Sequence, residues 1–296
     1  MDSASGYKYL QPQFAESLRN LQIKVKRSLK GDMAGAHKSS AFGASVEFAD
    51  YREYTPGDAI NMIDWAVYAR SDKYMIRRYE EETTIRGYIL LDTSESMNFK
   101  SEGIQTKMEY ASMLAAGIMY VLINQQDSAG LMTFDSKIRT QLAPVRSMHL
   151  IDPHLKALEA IQPAGKSDIE SVMHDAAELV SSKSLVIIIS DLLEKPEKIM
   201  KGISHLHFLG HEVMLMHILD NGEINLKMTG VTELKELESG SKIIINTDEI
   251  RDAYSKSVEY YIDSIQSGCA ALSIDYSIND TSTPVNEAIY QRTVSI

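Results

Sequence analysis

The chain has 296 residues, 44% hydrophobic and 24% charged, with a formal net charge of −11. That length suits one large domain or two modest ones of ordinary globular composition. The acidic balance argues against a general nucleic-acid binder. No apolar run reaches the length of a membrane span; the longest, Ala111 to Ile123, reads as a core helix.

Met1 to Gln13 is polar, without the apolar centre of a secretory signal. The one cysteine, Cys269, adjoins an apolar run and reads as a core thiol, which fits a reducing cytoplasm. Residues 14–30 place Phe14, Leu18, Leu21 and Val25 at helical spacing, with the basic cluster Lys24, Lys26, Arg27 and Lys30 as a solvated face. Gly31 to Gly43 reads as a loop. Val46 to Tyr54 is extended and ends at the turn signal Pro56-Gly57-Asp58. Arg52, Glu53, Asp58, Asp64, Arg70, Arg77 and Arg78 mix both signs among aromatics, which suits a structural ion-pair mesh or a docking surface.

From residue 84 apolar strand-like runs alternate with helical stretches. The strands are expected at Gly87–Leu91, Gly130–Phe134, Leu185–Ser190, Val213–Leu219 and Ala270–Tyr276. The helices are expected around 106–124, 148–161, 168–182, 196–209, 248–267 and 284–292. Strands apolar along their whole length, separated by helices, predict an open, mostly parallel α/β sheet covered on both faces. The stretch 224–246 breaks the alternation and reads as an inserted strand pair. The expected organisation is an N-terminal extension over residues 1–83, packed on a main α/β domain over 84–296.

In such sheets ligands bind beyond the C-terminal ends of the strands. The first strand runs into Asp92-Thr93-Ser94-Glu95-Ser96, and a later one ends at Ser190-Asp191. Gly165-Lys166-Ser167-Asp168 opens a helix at the same edge. Two carboxylates and three hydroxyls thus converge. Such hard oxygens suit Mg²⁺ or Mn²⁺, which takes about six oxygens and often keeps some as water. Each residue also has a plainer reading. Ser94 and Ser96 can turn the chain, Ser167 can cap a helix beside Asp168 and Glu170, and Asp191 can end its strand.

Asp92-x-Ser94-x-Ser96, then Ser167, then Asp191 resembles the metal-ion-dependent adhesion site of von Willebrand factor A domains. That family usually has Thr in the second loop; here Ser167 keeps the hydroxyl, and Lys166 adds a neighbouring positive charge. The resemblance implies a cation (Mg²⁺, or Mn²⁺ or Ca²⁺) held by Asp92, Ser94, Ser96, Ser167 and Asp191, with a position open for an acidic side chain of a protein partner. A second resemblance covers nearly the whole chain. It is carried by residues 46–58 (Val46-Glu47-Phe48 through Pro56-Gly57-Asp58), Ile63-Asp64-Trp65, Ala69-Arg70, Glu80-Glu81-Glu82, Asp92 to Met97, Ser190-Asp191-Leu192 and Asp280-Thr281-Ser282-Thr283-Pro284. These resemble the bacterial family known as domain of unknown function 58, which is von Willebrand factor A-like and often encoded beside MoxR-type AAA+ ATPases. It implies an adaptor for such an ATPase in assembly or maturation of other complexes. Many relatives carry N-terminal membrane helices, so their absence from this chain favours a soluble version.

Enzyme chemistry is the rival. Asp92 after a strand suits a phosphatase-type nucleophile, but the haloacid-dehalogenase pattern needs an acid where Ser94 stands. Neither a Gly-x-Ser-x-Gly elbow nor a phosphate-cradling Gly-x-x-x-x-Gly-Lys loop occurs. His205, His207 and His211 cluster in sequence, but only His207 and His211 are four apart, which reads as helix histidines more than zinc. The expectation is therefore a binding protein and no enzyme, with a hydrolase, or a structural domain with a vestigial site, as the alternatives.

Overall fold

The computed structural model describes residues 6–23, 46–81, 84–101, 103, 105–181, 183–226, 230–235 and 242–295. They fall into two compact units, one within 1–29 together with 85–296, the other within 30–84.

The larger unit opens with α1 (Pro12–Ser17) and β1 (Leu21–Ile23). The smaller unit holds β2 (Val46–Glu53), α2 (Trp65–Ser71) and β3 (Met75–Glu81). The larger unit resumes with β4 (Arg86–Asp92), α3 (Lys107–Asn124), β5 (Ser128–Phe134), β6 (Ile138–Val145), α4 (Asp152–Glu159) and α5 (Ile169–Leu179). It continues through β7 (Leu185–Ser190), α6 (Pro196–Phe208), β8 (Glu212–Leu219), α7 (Asn221–Asn225), β9 (Val231–Lys235) and β10 (Lys242–Asn246). It closes with α8 (Thr247–Ala271), β11 (Asp275–Asp280), α9 (Val285–Tyr290) and β12 (Thr293–Ser295).

Six strands form the central sheet in the order β11-β8-β7-β4-β5-β6, all parallel except β6. The chain is thus an α/β protein with a mostly parallel sheet flanked by helices. Alternation along each strand feeds two cores. Ile89, Leu91, Leu131, Ile187 and Ile189 pack with α3 and α9 on one face. Tyr88, Leu90, Met132, Val186 and Ile188 pack with α5, α6 and α8 on the other. Burial on both sides explains why these strands are apolar throughout. The capping box Thr106/Glu109 opens α3, whose Ala111–Ile123 run lies in the core as expected.

The structure departs from the sequence expectation at the ends of the chain. The helix predicted over 14–30 stops at Ser17, and Leu21–Ile23 pairs antiparallel with Ser295–Thr293. Leu10 and Leu18 are fully buried in the larger unit's core, so residues 6–23 belong to that unit. Residues 24–30, with the basic cluster, lie outside the described residues. The last sheet strand lies at Asp275–Asp280, because α8 continues to Ala271 and the chain turns through Ser273 at φ 59°. The antiparallel edge strand β6 went unpredicted; its alternating Arg139, Gln141 and Ala143 mark one solvated face. Within 224–246, β9 and β10 pair antiparallel.

In the smaller unit β2 and β3 form an antiparallel ribbon. Arg52 grips Asp58 through both guanidinium nitrogens (2.7 and 2.6 Å), and Asp58 also accepts Thr55 N–H at 2.9 Å, closing the predicted turn. Asp64 caps α2 through Ala66 N–H and Val67 N–H. Tyr68 stacks on Tyr74 at 4.5 Å, with Trp65 edge-on to both.

Candidate metal centre

Asp92 ends β4 between two parallel neighbours, β5 and β7, so its carboxylate emerges at the C-terminal edge of the sheet. Thr93 pins the following loop, its N–H and hydroxyl both donating to Phe134 O (2.6 and 2.8 Å). Ser94 N–H turns back to Asp92 Oδ1 at 2.9 Å, and a 3₁₀ turn over Glu95–Asn98 brings Ser96 Oγ to 3.1 Å from Ser94 Oγ. The second loop is stitched to the first by Glu95 N–H to Gly165 O and Ala164 N–H to Thr93 O, both 2.9 Å. Gly165 takes φ +77° there, a left-handed turn that glycine accepts without strain. Ser167 then donates to Asp92 Oδ2 at 3.0 Å. Asp168, rather than Ser167, is the cap of α5, accepting Ser171 N–H at 3.2 Å.

The third loop follows β7. Ser190 Oγ donates to Asp92 Oδ2 at 2.7 Å and accepts Leu192 N–H at 2.9 Å. Asp191 is fully buried. Its Oδ2 pairs with Lys107 Nζ at 2.7 Å, and its Oδ1 is enclosed with no hydrogen-bond partner. The structure thus links Asp92, Ser94, Ser96 and Ser167 by hydrogen bonds, and Asp191 acts on Asp92 through its charge. Burial first, and the Asp191 charge second, push the Asp92 carboxyl up to about 7.

Sequence reasoning missed two members of this cluster. Ser190, read only as a strand end, is a direct partner of Asp92. Lys107, fully buried, joins Asp191 to Glu223 of α7, each at 2.7 Å. Burial opposes its charge, but the two carboxylates outweigh burial and lift its pKa above the usual lysine range. Lys166, flagged as the cation nearest the site, is exposed. One signal for Lys107 was available: it is the first residue of α3, where the helix dipole disfavours a positive charge, so a specific acidic partner is implied. His217 lies beneath, its ring bonded to Tyr276 OH (2.8 Å) and Asp191 O (3.1 Å); burial pushes its pKa down to about 4 and keeps it neutral.

These residues fit a hard divalent cation. Lys107 pairs with Asp191 and Glu223, while burial raises the Asp92 and Glu223 carboxyls above their ordinary range. A cation bound there would favour the ionised forms, and Asp191 Oδ1 is an acceptor without a donor. Among the described residues no three His, Cys, Asp or Glu side chains are arranged to hold a metal, so a cation at this edge would need hydroxyl oxygens as well. The histidine triplet offers no alternative: His211 is buried and accepts Ser184 N–H, while His205 packs on His174. Cys269 is a core thiol, pushed up to about 12 by burial.

Residues 50–261 match the family described as protein of unknown function DUF58. Uncharacterized proteins of Mycobacterium bovis and Mycobacterium tuberculosis are each 25% identical over 232 residues, which is 77% of this chain and 72% of theirs. Among solved structures, BatB from Bacteroides thetaiotaomicron is similar with a TM-score of 0.45 and 15% identity, over 70% of this chain and 96% of that one. An aerotolerance-related membrane protein from Bacteroides fragilis gives 0.45 and 18% over 70% and 98%. The VWA domain of SpRpn10 gives 0.42 and 15% over 70% and 94%.

Proposed function

The chain belongs to the DUF58 family, and we propose that it is a metal-dependent protein-binding module whose cation site lies at the Asp92 edge of the sheet. The observation that carries this reading is the hydrogen-bonded gathering of Asp92, Ser94, Ser96 and Ser167 at one sheet edge, together with the orphaned Asp191 Oδ1. Asp92, Ser94, Ser96, Ser167 and Asp191 would hold Mg²⁺, or Mn²⁺ or Ca²⁺. When bound, the ion offers a Lewis-acidic position that a partner's carboxylate fills. Lys107 fixes the Asp191 carboxylate by one oxygen and leaves the other for the ion. Ser167 and Ser190 orient Asp92 from the second and third loops.

The enclosure speaks against the nucleophile reading. Asp92 is fully buried, and the three hydrogen bonds it accepts leave one lone pair, on Oδ1, which suits an enclosed ion better than attack on a substrate. We assign the partner to a MoxR-type AAA+ ATPase, on the sequence resemblance of residues 46–82 and of the site, and the role to an adaptor in assembly or maturation of other complexes. A cytoplasmic location accords with the single buried cysteine, and no helix among the described residues is long and apolar enough to cross a membrane. The test is calorimetric titration of Mg²⁺ into the protein and its Asp92→Ala variant, followed by a pull-down of the ATPase with Mg²⁺ or with EDTA. Binding of the ion and the ATPase by the parent alone, with the ATPase lost in EDTA, is expected. Equal Mg²⁺ affinity in the variant sinks the site.

A further inference from the structure

A pocket of about 630 Å³ opens beside the metal site, and Asp191 lines both. Its walls come from the loop after β7 (Leu193), from the start of α6 (Pro196), from α7 (Ile224) and from α8 (Tyr254, Val258, Ile262). Volumes of this size enclose ligands well.

Most polar groups of its floor are already engaged, and the exception, Asp191 Oδ1, is the atom that the metal reading assigns to the ion. Asp191 and Glu223 share Lys107, while His217 bonds Tyr276 OH and Asp191 O. Tyr261 OH donates to Leu192 O and to Glu194 O, and Glu194 Oε1 accepts Ile169 N–H at 2.7 Å. A charged group entering the pocket would lose its hydration and find those partners taken. An apolar group meets apolar walls. Leu193, on the rim, is 54% exposed although its neighbour Leu192 is fully buried.

We propose that this pocket receives a large apolar side chain of the same partner segment whose carboxylate reaches the metal, so that the recognised element is an acidic residue next to, or one removed from, a Leu, Ile, Phe or Trp. The proposal rests on the metal-dependent binding reading and deepens it. Charge complementarity divides the two halves: the open cation position takes the carboxylate, and the apolar walls of the pocket take its neighbour. The Asp191 side chain bridges them. Lys107 ties Asp191 to Glu223 on the pocket wall, so the two halves are built on one ion-paired frame.

The experiment selects a random heptapeptide phage library on the full chain, once in Mg²⁺ and once in EDTA. Enriched synthetic peptides are then titrated against the parent, Leu193→Ser and Val258→Glu. Leu193 is exposed and Val258 half-buried on a helix surface, so neither change opens the core. Enrichment in Mg²⁺ of an acidic residue paired with a large apolar one is expected, with binding at least about tenfold weaker in both variants. Acidic peptides dependent on Mg²⁺ but lacking the apolar residue, or bound equally by both variants, overturn the pocket and leave the metal reading standing. Apolar peptides bound equally well in EDTA overturn the bipartite element. No peptide enriched in Mg²⁺ over EDTA overturns both readings.

Discussion

Asp58 and Asp92 are both aspartates that organise a turn by accepting backbone N–H groups, yet their ionisation is driven in opposite directions. In the smaller unit Arg52 meets Asp58 with two hydrogen bonds and Thr55 N–H adds another, which holds the Asp58 carboxyl well below the usual range. In the larger unit Asp92 also accepts three hydrogen bonds, from Ser94 N–H, Ser167 and Ser190. Burial and the Asp191 charge nevertheless push it up to about 7. Hydrogen bonds from neutral hydroxyls do not replace a counter-charge inside a protein, whereas a guanidinium near solvent does. The smaller unit therefore uses its charges to close a turn. The sheet edge of the larger unit holds a buried carboxyl without a paired cation of its own, the feature on which the proposed metal site rests.

The sharpest way to break this comparison is to remove the buried cation Lys107. Lys107→Met strands Asp191 and Glu223 without a counter-ion, and a loss of about 3–5 kcal/mol in urea unfolding is expected. An unchanged midpoint would mean the pairing carries no weight.

The next effect follows from Asp92. Its folded pKa lies above its unfolded one, so its stabilising contribution is complete below the unfolded value, about 4, and is lost as pH rises through about 7. In EDTA the melting temperature should therefore fall between pH 4 and pH 7 by an increment that Asp92→Asn removes. Added Mg²⁺ should raise the melting temperature more at pH 8 than at pH 5, because the ion takes the place of the proton. Scanning fluorimetry over that range decides it, and a Mg²⁺ effect larger at pH 5 would refute the assignment.

A smaller change is expected from Ser167→Ala, which deletes one hydrogen bond to Asp92 at the crevice. A stability loss of about 1 kcal/mol with a severalfold weaker Mg²⁺ isotherm is expected by calorimetry. Smallest of all is Arg52→Ala in the other unit. Its pair with Asp58 lies near solvent, so high salt and the substitution should each shift the melting curve far less than Lys107→Met does. A shift as large as that of Lys107→Met would erase the contrast between the two regions.

Much of this site was legible in the chain. Asp92, Ser94 and Ser96 follow one apolar run and Asp191 another, and a parallel sheet must deliver both run ends to the same edge. Ser167 was placed by its position at the start of a helix at that edge. What was not legible was the partner of each charge. Lys166 adjoins Ser167 in sequence and faces solvent, while Lys107, 84 positions before Asp191, lies fully buried against it. The helix expected over 14–30 failed for a related reason. Leu18 and Leu21 fit a helical stripe, but pairing of Leu21–Ile23 with the last strand outweighs that local preference.

The sequence by itself determined the open α/β sheet, because apolar runs of strand length between amphipathic stretches can be buried only with helices on both faces. It also determined which oxygens gather beyond the strand ends. Only the tertiary structure decided that the two chain termini pair and that Ser190 supports Asp92. It alone also decided that a lysine at a helix start bridges two carboxylates and leaves one oxygen of Asp191 without a partner. The physical reason is that periodicity records how deeply a residue is buried, whereas electrostatic balance depends on which distant loops meet, and no local pattern records that.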